Sequence, residues 1–131
     1  MAQFTHTIGV NYKNDAGTVV GTSVSYVDDA EVNLEDTVPA GTTNKEFDLA
    51  ITVNNIKSMI LFSSQDMTIK TNSINAAQET ISLKAGKGEI WTVDSVAPLP
   101  FAGNITKFFC TNAGLVDATF KFRCLVHQAN P

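Results

Sequence analysis

Cys110, Cys124 and His127 are the first residues to weigh for chemistry, because a thiol needs a nearby base to act as a nucleophile and His127 follows Cys124 by three positions. Treated as one hairpin, residues 105–126 place Phe108, Cys110, Phe120, Phe122, Cys124 and Val126 on a single face, with Lys121 and Arg123 on the other. Cys110 then sits near Ala118, and Cys124 lies opposite about Asn104. The sulfurs are roughly 20 Å apart at the usual strand rise, too far for a disulfide, whose Cα atoms lie within about 7 Å. In a strand, His127 projects from the face opposite Cys124. The expectation is two buried thiols and no catalytic residue.

The remaining candidates are equally sparse. His6 and His127 are the only histidines, and neither has a second His or Cys at zinc-ligand spacing. Asp28, Asp29, Glu31, Glu35 and Asp36 could hold a hard cation, but they lack the alternating ligands, central Gly and closing Glu of a calcium loop. A solvated acidic loop is the expectation there, with no metal site and no cofactor. Gly86-Lys87 lacks the earlier glycine and the following Ser or Thr of a phosphate loop, so it is expected to be a turn. Asn104-Ile105-Thr106 matches a glycosylation acceptor, a pattern that matters only in a secreted chain. No Gly-x-Ser-x-Gly elbow and no paired carboxylates stand out, and the chain is not expected to be an enzyme. Trp91, Tyr12, Tyr26 and Phe101 could form a sugar-stacking platform, although a core position is the favoured reading for Trp91 and a single Trp makes a poor lectin signature.

The elements that position these residues are strands. Phe47, Leu49, Ile51 and Val53 alternate with polar or small residues, residues 56–62 form the most continuously apolar run, and residues 67–71 extend again after Ser63-Ser64-Gln65-Asp66. Together they suggest three successive strands of a central meander, with Phe47, Leu49, Ile51, Val53, Met59, Leu61 and Ile69 in the core. Phe4, His6, Ile8, Val10 and Tyr12 alternate before a turn at residues 13–17, giving residues 1–12 the pattern of an arm or edge strand. Residues 18–27, rich in Val, Thr and Ser, follow as a second strand. For residues 28–36 a short strand and a helical turn both fit. Residues 79–84 and 89–93 suggest another hairpin, with a Pro-containing crossing at residues 97–103 before the last one. The expected fold is all-β: one domain over residues 1–131, a single antiparallel β-sandwich, jelly-roll-like, with eight or nine strands.

Composition sets limits. A chain of 131 residues with 44% hydrophobic and 17% charged residues suits one ordinary core and argues against a basic nucleic-acid arm. No apolar run nears the roughly 20 residues of a membrane-spanning helix, and the N-terminus lacks a secretory pattern; cytoplasmic synthesis and a chain bound to neither nucleic acid nor membrane are expected. Residues 1–50 carry eight acids and two bases, and residues 51–131 five acids and seven bases, which suggests an acidic and a basic pole able to join copies head to tail.

The segments IKSMILFSSQDMTIKTN, ISLKAGKGEIWTV and TNAGLVDATFKFRCLVHQ bring together an I-K-S-hydrophobic strand, an S-x-Q-D turn, a K-T-N segment, an L-K-A-G-K turn and a T-N-A-G step. Over approximately residues 50–127 this text resembles small virion structural proteins of tailed bacteriophages. The resemblance implies a capsid decoration, or cement, protein on the outer head lattice of the virion, with the major capsid protein and copies of itself as partners. Phe4, His6, Ile8, Val10 and Tyr12 are then the expected partner interface, since a free edge strand can act through pairing and buried area alone. The alternative is a carbohydrate-binding or adhesion module of a phage tail or fibre, acting through Trp91 or residues 98–101.

Overall fold

The structure is a computed structural model that describes residues 3–17 and 19–128. Among them run ten strands: β1 (Phe4–Lys13), β2 (Val19–Asp28), β3 (Ala30–Val38), β4 (Thr42–Ile51), β5 (Ile56–Ser63), β6 (Met67–Thr71), β7 (Thr80–Leu83), β8 (Glu89–Thr92), β9 (Ile105–Asn112) and β10 (Ala118–Val126). One 3-10 turn, Val53–Asn55, interrupts them where Asn54-Asn55 breaks the apolar alternation. No helix of the described residues is long and apolar enough to cross a membrane.

Eight strands form the body as a nested set. β3 pairs with β10, β4 with β9, β5 with β8 and β6 with β7, all antiparallel, like one long hairpin folded on itself. Rolling that hairpin adds the β10–β5 and β9–β6 pairs and closes two sheets, β3-β10-β5-β8 and β4-β9-β6-β7. This order is that of a jelly roll. β1 and β2 stand apart as a two-stranded sheet, a regular hairpin that runs from Phe4↔Asp28 to Lys13↔Val19 without a register shift.

The all-β sandwich expected from sequence is present, with eight strands in its two sheets and the β1–β2 hairpin beside them. Its local pairings differ. β4, β5 and β6 are not a meander, because β5 lies in the sheet opposite β4 and β6; likewise β7 and β8 are not a hairpin, and neither are β9 and β10. Each of these strands carries large apolar residues on its inner face, and placing sequence neighbours in opposite sheets lets those faces meet across the core. Phe108 of β9 packs edge-on against Phe122 and Phe120 of β10, at 5.2 and 6.2 Å between ring centroids, and Phe101 lies 5.9 Å away. Phe47 of β4 reaches Phe120 from the same side, at 5.9 Å. Of the expected core set, Phe47, Ile51, Val53, Met59, Leu61 and Ile69 are buried, while Leu49 is half-buried against them.

Asparagines secure the crossings between sheets. Fully buried Asn112 donates from Nδ2 to the Val38 and Val116 carbonyls, at 3.0 and 2.8 Å, and accepts the Gly114 N–H, which bends the chain out of β9. Asn72 takes a left-handed φ of 68°, which Asn tolerates better than most side chains, and its amide bridges the Thr106 N–H and the Asn104 carbonyl, each at 2.8 Å.

Nesting also decides where charge goes. Because β3 pairs with β10 and β4 with β9, the acidic first half interleaves with the rest: Glu35 pairs with Arg123, and Glu46 and Asp48 with Lys107. Three acids of the first half thus meet bases of the second in cross-strand ion pairs, while β3 and β4, which carry five of its eight acids, are edge strands of the two sheets.

Replacing Phe108 with Ala should cost about 3–5 kcal/mol in urea unfolding, since it empties the point where four rings meet. Leu115→Ala, at a residue 97% exposed, should change stability by no more than about 0.5 kcal/mol.

Candidate functional site

The hairpin β1–β2 is the feature that the body does not explain. Strand alternation puts Phe4, His6, Ile8, Val10 and Tyr12 on one face, joined through the register by Val20, Thr22, Val24 and Tyr26. The opposite face carries Thr5, Thr7, Gly9, Asn11, Lys13, Gly21, Ser23 and Ser25, with a Thr7–Ser25 hydroxyl contact of 2.8 Å, and one exposed apolar residue, Val27, at its root. Only the root of the apolar face rests on the body. Leu125 and Ser58 alternate with inward residues, so they belong to the outer face of β3-β10-β5-β8, yet both are buried. β1 and β2 contact β10 there, and β2 also contacts β5, so the arm root supplies cover.

Polar contacts bolt that root down. His6 Nε2 lies 2.6 Å from Glu31 Oε2, and Tyr26 donates its hydroxyl to Asp94 at 2.8 Å and to Thr92 at 3.2 Å. At the end of β2, Asp28 Oδ1 is 2.9 Å from His127 Nδ1, and Asp29 accepts the Gln128 N–H at 2.7 Å. Both histidines of the chain thus tie the arm to the body. Burial opposes ionisation of Asp28, but hydrogen bonds from His127 and the Asp29 N–H, with the charge of His127, outweigh it and hold the carboxyl below its usual range.

Past Ile8 the apolar face overhangs. Val10, Tyr12, Val20 and Val24 are 48%, 70%, 66% and 42% exposed. The five expected interface residues are therefore divided: Phe4, His6 and Ile8 are half-buried at the root, whereas Val10 and Tyr12 are exposed beyond it. Residues 1 and 2 of the expected arm, and Thr18 of the second strand, lie outside the described residues. Sequence reading found the alternation in β1 but did not count β2 as the other half of the same surface. Asn14 and Gly17 were the available signal: Gly17, at φ 82°, donates its N–H to the Asn14 carbonyl and closes the turn.

A cleft of about 310 Å³ opens beside β1, between Thr5, His6, Thr7 and Ile8 on one side and Asn33, Ile60 and Arg123 on the other. A hollow of about 590 Å³ at the sandwich end, between residues 65–68, 82–85 and 111–114, has Asp66 and Lys84 as its only ionisable side chains, and Asp66 is engaged by the Ala85 N–H.

The other sequence candidates do not assemble into a site. Cys110 and Cys124 are free and buried, but they lie on central strands of opposite sheets and not along one hairpin. Burial pushes each thiol up to about 12. The residues at 28–36 are largely strand β3, and Asp28, Glu31, Glu35 and Asp36 each face a base. Asp28, Asp29 and His127 are the one group among the described residues whose donors converge as metal ligands would, within 4.8 Å. Lys57 Nζ, 4.0 Å from Asp28 Oδ2, already brings a positive charge there, and the arrangement acts as an ion-paired brace. Asn104 accepts the Val53 N–H through its side chain. Trp91 packs against the core and donates to the Ala97 carbonyl at 3.1 Å, Phe101 is buried and Tyr26 is engaged at the arm root, so no four-ring platform forms.

Comparison with protein-family models, curated proteins and solved structures yields no match.

Asp28→Asn should lower stability at pH 7 by about 1–2 kcal/mol, as expected for a hydrogen bond to a charged group. The folded-state value is depressed, so this contribution is present above the ordinary value of 3.8 and disappears as pH falls through the lower folded one; the two unfolding curves should converge below about pH 4. In thiol titration at pH 8, Cys110 and Cys124 should stay unreactive while the chain is folded and both react once it is unfolded in denaturant.

Proposed function

We propose that this protein is a virion structural protein, a decoration or cement protein of a tailed-phage head that grips the outer capsid lattice with its β1–β2 arm. The observation that carries this reading is the overhanging apolar face of Val10, Tyr12, Val20 and Val24 on a hairpin whose braces to the body, among the described residues, lie at its root. A two-stranded ribbon is marginal in water by itself, and an apolar face on one gains stability when a partner covers it. The body supports the same reading. Glu35, Glu46 and Asp48 are held in cross-strand ion pairs, its thiols are buried, and its edges and loops offer area instead of chemistry.

Cementing needs little more than this. A rigid jelly roll spreads load between neighbouring capsid subunits, and an arm that buries apolar side chains and offers backbone hydrogen-bonding groups along its edges fastens it in place. The major capsid protein and further copies of this chain are the proposed partners, and the capsid surface is the proposed location.

Val10→Asp combined with Tyr12→Asp places two charges on the exposed part of the arm and should leave thermal unfolding of the body unchanged. In co-sedimentation with capsids assembled from the proposed partner, a major capsid protein, the double variant should bind at least tenfold more weakly than wild type. Undiminished binding would sink the proposed role of the arm.

A further inference from the structure

The free edge of β1 lacks the devices that usually keep strand edges apart. Natural edges are blunted by charged side chains, proline, bulges or short length. β1 is ten residues long and pairs with β2 without a register shift. From Phe4 to Tyr12 it contains no Lys, Arg, Asp, Glu or Pro. Thr5, His6, Thr7 and Ile8 project alternately to both faces of the arm, and all four line the same cleft. A cleft bordered by residues of both faces fronts the strand's edge, where backbone groups not used by β2 are presented.

We propose that this edge and cleft receive β1 of a second copy of this chain, antiparallel across a two-fold axis near Ile8 and Gly9, with Val10 and Tyr12 of each copy seated in the cleft of the other. The match is self-complementary, as a two-fold interface requires. The receiving half of the edge is the root, Thr5 to Ile8, and the half that must be covered is the tip, which carries the exposed Val10 and Tyr12. Antiparallel pairing about the strand centre lays each tip beside the other root. A single contact then satisfies two open edges and covers Val10 and Tyr12 of both tips, while Val20 and Val24 on β2 stay exposed for the capsid. The apolar wall of the cleft is Ile8 and Ile60, and Arg123 beside it offers a cation to a tyrosine ring. Lys13 is the one charged residue of β1 and lies at the far end of the strand, so like charges do not face each other near the axis. The dimer deepens the reading of the arm as the gripping element and rests on the edge geometry, so it can fail independently of capsid binding.

Sedimentation of the full-length protein over a concentration series should show a reversible monomer–dimer equilibrium, and Tyr12→Lys should weaken it at least tenfold. Single cysteines read the contact directly, because Cys110 and Cys124 are buried. Thr7→Cys, Ile8→Cys and Gly9→Cys bracket the axis, and at Gly9 an added Cβ meets nothing closer than 4.0 Å. A short bis-maleimide should join copies through at least one of these positions and leave Ser23→Cys on β2 uncoupled. A wild type that stays monomeric at high concentration, or coupling through Ser23→Cys without coupling at the β1 positions, would overturn the proposal. A monomer that still binds capsids would overturn it while leaving the decoration reading intact.

Discussion

Contact between Phe108 and the pair Phe120 and Phe122 is the interaction on which the rest of the molecule depends. These rings belong to central strands of opposite sheets, β9 and β10, and their edge-to-face packing fixes how the sheets meet. Every other strand of the two sandwich sheets is added by pairing outward from those two. β10 is flanked by β3 and β5, and β9 by β4 and β6. A chain that paired β9 with β10 in one sheet would line these rings along one face and leave the facing sheet without partners of comparable volume.

Three links lead from this core to the arm. Burying Phe122 and Cys124 turns Leu125 to the outer face of its sheet, where an apolar side chain requires cover. Phe4, His6 and Tyr26 at the arm root lie over that face, and the contacts of His6 with Glu31 and His127 with Asp28 fix the angle of approach. The tip then has no part of the body to rest on. An arm anchored at one end and apolar beyond it presents a surface that is held in place yet unfilled, and such preorganisation lowers the entropic cost of binding.

Much of this was legible in the residues. Alternation at Phe47–Ile51 and in β1 marked strands. Sheet assignment was hidden because a short polar connection between apolar strands fits a hairpin turn and an arch between sheets equally well. What separates them is the buried amide of Asn112, which bonds to Val38, seventy-four residues earlier in the chain, and so cannot be foreseen from local pattern. The same holds for the acidic residues near β3. Two of their partners, Arg123 and His127, come together with them only through the nested pairing. The cysteines show a correct expectation reached by the wrong geometry: they are free because they are buried in opposite sheets.

Coverage of the arm on the virion is the central claim, and amide hydrogen exchange measures it residue by residue. Compared between the free protein, diluted until it is monomeric, and the protein bound to capsids, exchange should slow most in β1 and β2, above all from Ile8 to Lys13 and from Val20 to Val24, with little change in the central strands, which are already protected. Unchanged exchange in the arm, with new protection confined to the loops at the ends of the sandwich, would contradict it.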